Sequence, residues 1–191
     1  MIRLNIGSHN VRQDGFLNVD ILDLPNVDIV CDITKVPWLV KGVAPQEKFE
    51  DDSVDEILMV EVLEHLSFHD TIKVLREIHR VLIPGGKLHI QVPDCGSMME
   101  MYVRGEISDS IPHKPESVEQ VLQLRKLTGA RVHPRRWLMA FCGAQKYGVP
   151  DIHKNIFTKE SMQEYLEEAG FEKIDFKEDP LGWKIKVNVF K

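Results

Sequence analysis

The chain has 191 residues, 43% of them hydrophobic and 28% charged, with a formal net charge of −6 at pH 7. That length suits one domain burying roughly 70% of its unfolded surface, and the acidic balance gives no reason to expect a nucleic-acid partner. No apolar run is long enough to span a membrane, and strand-like residues begin at Ile2, so no secretory signal is expected. Cys31, Cys95 and Cys142 are scattered and odd in number, which predicts a reduced cytoplasmic protein.

Leu4-Asn5-Ile6-Gly7-Ser8-His9 has the pattern of a short buried strand running into a glycine turn, and residues 17–21 and 27–32 predict two further strands. Asp20 and Asp32 fall at or near the ends of these, where open parallel sheets bind ligands. Residues 53–60 end in an apolar run suited to a central strand. Ile72, Leu75, Ile78 and Leu82 mark one face of a helix over 68–82, which Pro84-Gly85-Gly86 should stop before a strand at 87–92. Such βαβ alternation implies a parallel sheet. Residues 94–157 exceed an ordinary connection; helices are expected over 116–128, ended by Gly129, and over 135–142. Thr158 is a natural N-cap, Glu160 suits the first turn, and Gly170 supplies a C-terminal stop. Strands at 171–178 and 183–190, joined tightly through Pro180-Leu181-Gly182, should pair antiparallel.

The series LNIG, GFLNVDI, VCDI, VDEI, EVLEH and LIPGGKLHIQVPD resembles the class I S-adenosylmethionine-dependent methyltransferases, and more narrowly a small bacterial group of the type 11 kind. The resemblance spans nearly the whole chain and is strongest over residues 2–94. It implies an α/β, Rossmann-like fold: a mostly parallel seven-stranded sheet with a C-terminal antiparallel hairpin, residues 94–157 forming a lid-like helical insertion within one domain. It also implies S-adenosylmethionine as cofactor, with S-adenosylhomocysteine as product, held by Asn5, Gly7, Ser8, His9, Asp20, Ile21, Cys31, Asp32, Ile33, Glu61, Val62 and His65. In that scheme Asp20 accepts from the ribose hydroxyls and Asp32 from the adenine amine, with Cys31 and Ile33 flanking the ring. Glu61, Val62 and His65 lie near the methionine and ribose.

Several of these residues also have plain structural readings. Gly7 can serve an ordinary turn, and an acid at a strand end can cap one. His9 departs from the family pattern, which commonly has a second glycine there, and residues 8–16 are too short for a full crossover helix. A shortened helix suits a sulfonium cofactor better than a dinucleotide pyrophosphate. Asp94 is either a general base or a turn cap, and His153, in a segment Asp151-Ile152-His153-Lys154 that resembles a family motif, is either a base or a packing residue. His65 and His69 are four apart, but no third ligand stands at a supporting spacing, so no metal is expected.

Residues 111–157 carry eight basic side chains (Lys114, Arg125, Lys126, Arg131, Arg135, Arg136, Lys146 and Lys154) against Glu116, Glu119 and Asp151. A basic lid would concentrate an anionic acceptor; a solvated helix face or a homodimer contact is the alternative. The lid also holds His113 and His133. The expected function is methyl transfer to a small-molecule or saccharide-like, glycan-type acceptor. A catalytically inactive cofactor-binding or scaffold subunit is the second reading. An NAD-dependent oxidoreductase is disfavoured by the absence of G-x-G-x-x-G.

Overall fold

The computed structural model describes residues 1–40, 47–112, 114–144 and 152–191. Its strands are β1 (Arg3–Ile6), β2 (Leu17–Asp20), β3 (Ile29–Val30), β4 (Leu39–Val40), β5 (Glu47–Lys48), β6 (Val54–Val60), β7 (Leu82–Pro93), β8 (Lys173–Lys177) and β9 (Lys184–Phe190). Seven of them form one sheet in the order β3-β2-β1-β6-β7-β9-β8, and β4 and β5 pair apart from it. The pairs from β3 to β7 are parallel, whereas β9 runs antiparallel to both β7 and β8. This is the mixed sheet with a C-terminal hairpin expected from the sequence.

Apolar spacing decides which faces are covered. On β7 and β9 the alternate residues Leu88, Ile90, Val92, Ile185, Val187 and Val189 are fully buried, the period-2 pattern of paired strands. Helix α1 (Phe68–Val81) is capped by Ser67 and turns Val74, Leu75, Ile78 and Val81 into the same core. It ends at Val81, before Pro84-Gly85-Gly86. Leu82 is already extended, and the three residues fall instead in a register shift of the β6–β7 pair. Helix α5 (Lys159–Glu168) begins in a reciprocal cap between Thr158 and Ser161, with Gly170 left-handed just after it.

Helices α2 (Cys95–Val103), α3 (Val118–Thr128) and α4 (Pro134–Cys142) build a smaller core of their own. Met98, Met101, Val121, Val132 and Ala140 gather there around Trp183, at the start of the last strand. His113, Lys146 and Asp151 of the basic segment lie outside the described residues.

No helix connects β1 to β2. A ten-residue loop takes its place, and a buried side-chain hub braces it. Asn18, fully buried on β2, accepts through Oδ1 from Asn5 Nδ2 (2.9 Å) and from the backbone N–H of Gln13 (3.1 Å). Its own backbone N–H and Nδ2 donate to Asp28 Oδ2 at 2.8 and 3.2 Å. One amide therefore ties together β1, the loop, β2 and the approach to β3. Donation from the Asn18 backbone holds the Asp28 carboxyl below its ordinary range.

Asn18→Ala strands the amide of Asn5 and a loop N–H, and should cost about 2–3 kcal/mol in chemical denaturation. Because the Asp28 pKa is depressed in the folded state, its contribution is complete above the ordinary aspartate value near ~3.9 and is lost as pH falls through the lower folded value. Asp28→Asn should accordingly flatten the acid limb of the stability–pH curve by lowering the plateau above it, with stability at the lowest pH close to that of the wild type.

Candidate functional site

The parallel strands β1, β2 and β6 end on one side of the sheet, at the point where the chain leaves β1 for one neighbour and returns as the other. Such switch points are where open α/β sheets bind ligands. A pocket of about 640 Å³ opens there, lined by Gly7, His9, Asp20, Ile21, Cys31, Asp32, Ile33, Glu61, Val62 and His65 among others. Ten of the twelve residues assigned to cofactor binding from the resemblance thus meet in one cavity. Leu66, Asp70 and Lys154 line it as well.

The two remaining residues do something else. Asn5 turns its amide into the Asn18 hub. Ser8 is 3% exposed, its hydroxyl without a hydrogen-bond partner among the described residues. Neither residue is among those that line this pocket. Each neighbours Gly7 or a strand tip in sequence, but strand alternation and the turn send its side chain away from the pocket.

Gly7 has φ +70°, and a Cβ there would stand 2.4 Å from Val62 Cγ2. Two constraints therefore demand glycine: the left-handed backbone, and the close approach of the segment after β6. Asp20, 8% exposed, accepts from the backbone N–H of His9 (2.8 Å) through one oxygen and of Leu22 (3.0 Å) through the other. A carboxylate has about four lone-pair sites, so acceptor capacity remains toward the pocket. Asp32 combines both of its sequence readings, since it caps the Thr34 N–H (3.0 Å) and hydroxyl (2.7 Å) while lining the cavity. His9 is itself left-handed at φ 44°.

A second pocket, about 210 Å³, adjoins the first, with Glu61 and His65 lining both. Its other walls include Met98, Arg136, Met139, His153, Trp183 and Lys184. The Arg136 guanidinium lies over the Trp183 ring at 4.8 Å, and its burial pulls its pKa below the usual arginine value. Glu61, left-handed at φ 58°, receives Lys184 Nζ at 2.5 Å and Gln91 Nε2 at 3.4 Å. Left-handed backbone in a non-glycine residue concentrates where surrounding structure enforces it, often at functional sites. His153 is half-buried; desolvation keeps its imidazole below the ordinary histidine pKa, and Nδ1 lies 3.0 Å from the Ala140 carbonyl oxygen.

Asp94 lines neither pocket. It is 3% exposed and caps α2, accepting from the Ser97 N–H (3.0 Å) and hydroxyl (2.8 Å). Of its two sequence readings the structure displays the cap. Arg135 is exposed and also lies off the pockets, whereas its neighbour Arg136 forms a wall. Lys184 and Trp183 escape sequence reasoning because they belong to the last strand, more than a hundred residues from Glu61. A Trp-Lys pair straight after a Pro-Leu-Gly turn is the only local hint.

Residues 10–90 match the family described as Methyltransferase domain. The whole chain superposes on a 1,6-didemethyltoxoflavin-N1-methyltransferase of Burkholderia thailandensis, solved with 1,6-didemethyltoxoflavin and S-adenosylhomocysteine, with TM-score 0.55, 13% identity and 70% of that chain covered. A Nostoc punctiforme protein described as a candidate O-methyltransferase gives TM-score 0.53 at 14% identity, over 99% of this chain and 51% of that one. A SAM-dependent methyltransferase from Aquifex aeolicus gives 0.50 at 17% identity, over 99% of this chain and 81% of that one. No curated protein matches the chain. The chain thus spans about half the length of the Nostoc protein. These superpositions show the fold that the chain shares with such methyltransferases, and the family match covers residues 10–90, less than half of the chain. Among the described residues no helix is long and apolar enough to cross a membrane.

Gly7→Ala should lower stability by about 1–2 kcal/mol for the left-handed backbone alone, with a further loss from the collision with Val62. Adding Val62→Ala relieves only the collision. A double-mutant cycle read by denaturant unfolding should therefore show a combined cost below the sum of the single ones.

Proposed function

We propose that the protein transfers a methyl group from S-adenosylmethionine to a small polar acceptor held in the smaller pocket. The adjacency of the two cavities across Glu61 and His65 carries this reading. The larger cavity fits the cofactor on its own chemistry. In this reading Asp20 and Asp32 supply acceptors for ribose hydroxyls and an adenine amine, Ile21, Ile33 and Val62 offer apolar surface, and Gly7 leaves room that a Cβ would fill. When bound, the cofactor supplies a methyl group made electrophilic by the sulfonium.

The chain's own residues then orient the acceptor. In-line displacement gains much of its rate from holding the nucleophile in place, and the smaller pocket supplies charged and apolar walls for that. Glu61 is the one acid common to both pockets among the described residues. It is the group we assign to take the proton from an acceptor hydroxyl, with Lys184 fixing its carboxylate. Arg136 and Lys184 favour an acceptor bearing carboxylate or phosphate. A saccharide-like metabolite of that charge suits the pocket's size and polarity.

The loop that replaces the first crossover helix, with His9 at the pocket, favours the second reading of an inactive cofactor-binding subunit. Calorimetry separates the two. Wild-type protein should bind S-adenosylhomocysteine, and Asp20→Asn should weaken it by about tenfold or more, the equivalent of ~1.4 kcal/mol. Heat absent at millimolar ligand would overturn the reading. Bound cofactor with no methyl transfer to any anionic sugar or metabolite would favour the subunit.

Arg136→Ala should leave the affinity for S-adenosylhomocysteine unchanged and raise KM for an anionic acceptor by about 10- to 100-fold, in line with loss of a charged hydrogen bond. Equal KM values would remove Arg136 from acceptor binding.

A further inference from the structure

Glu64 is the most anomalous side chain among the described residues. It is 1% exposed, and neither carboxylate oxygen meets a hydrogen-bond donor. The charges that act on it are those of another acid, Glu61, and of Lys184. Buried polar groups are normally paired, so a carboxyl in this position calls for a proton or a cation.

The chain folds two histidines against it. Glu64 belongs to the short 3-10 turn Leu63–His65. Its backbone carbonyl accepts from the N–H groups of Lys154 (2.8 Å) and Asn155 (3.1 Å), which pins the segment after residue 151 alongside. The rings of His65 and His153 consequently meet edge-on, with centroids 4.9 Å apart. One ligand atom from each of Glu64, His65 and His153 lies within 4.8 Å of the others.

Both imidazoles are oriented from behind. Nδ1 of His65 lies 3.3 Å from the carbonyl oxygen of Ile152, and Nδ1 of His153 lies 3.0 Å from that of Ala140. A carbonyl only accepts, so each Nδ1 carries the hydrogen, and a neutral ring then offers its Nε2 lone pair. A backbone carbonyl behind the ring is the usual outer support of a metal-bound histidine.

We propose that Glu64, His65 and His153 bind a divalent first-row cation, zinc by the chemistry of the set, with its remaining position open to the smaller pocket. Two imidazoles and one carboxylate with a fourth site free are a known zinc arrangement. The open position would take water or an oxygen of the acceptor beside Glu61. That last assignment rests on the pocket being the acceptor's; the metal site itself does not.

The test uses the full chain, stripped with chelator and then titrated with zinc chloride alone and with cobalt(II) as a spectroscopic probe. One equivalent of zinc should bind and raise Tm, and cobalt should give the visible absorption of a low-coordinate site. Glu64→Gln and His153→Gln should each weaken zinc by at least the roughly 10- to 100-fold that loss of an outer-shell partner costs. His69→Ala, on the exposed face of α1, should bind as wild type. Circular dichroism and S-adenosylhomocysteine titration of the same variants show whether they are folded. No zinc uptake by wild type, or the same affinity in both folded variants, would overturn the proposal, the second outcome placing the ion elsewhere, as at the exposed thiol of Cys142. Zinc bound without any S-adenosylhomocysteine binding would sink the methyltransferase reading and leave the metal site standing.

Discussion

The site rests on a hydrogen-bond hub that performs the task of a missing helix. In a βαβ unit the crossover helix covers the sheet and fixes where the first strand lets go of the chain. Here only ten residues separate β1 from β2, and Asn18 holds both strands, the loop and Asp28 through one buried amide and its own backbone N–H. The turn at Gly7 and the position of Asp20 follow from that bracing. With the loop tied down, the His9 N–H can reach the Asp20 carboxylate, so the strand tip and the loop define one wall together. A loop closed by side chains occupies less space than a helix.

The opposite wall depends on β6. Val62 sits in the space left by the missing Gly7 Cβ, and one residue earlier the backbone is left-handed at Glu61. That twist puts the Glu61 carboxylate between the two cavities, where Lys184 from the final strand receives it. The antiparallel β9 therefore does more than join β7 to the edge strand β8. It delivers Trp183 to the small helical core and Lys184 to the pocket, and so joins the two halves of the site.

How far the sequence discloses this depends on the range of the interaction. Strands and helices whose apolar residues repeat at period 2 or 3.6 are legible because the pattern is local, and so are the Thr158 cap and the Gly129 stop. The strand-tip acids and Gly7 are legible because motif order places them. The side-chain directions of Asn5 and Ser8 are not legible because adjacency to a strand tip does not say which way a side chain turns. Asp94 stays open in the sequence because a helix cap and a catalytic acid look identical without geometry. The basic segment misleads in another manner. A local excess of charge says nothing about direction, and of the adjacent pair Arg135 and Arg136 only the second faces the pocket. His65 and His69 share a helical spacing, yet the partner of His65 is His153, a residue that only tertiary packing can supply.

Glu64 shows why such long-range placement matters chemically. Between apolar Leu63 and half-buried His65, a hydrophobic residue at position 64 would pack without desolvating a carboxyl, and the turn does not need the acid, because only the backbone carbonyl of Glu64 bonds the neighbouring segment. Burying a carboxyl without a donor works against folding, and its proximity to Glu61 adds repulsion whenever both are ionised. An arrangement that opposes stability on two counts fits the proposed cation site, where Glu64, His65 and His153 bring one ligand atom each within 4.8 Å of the others.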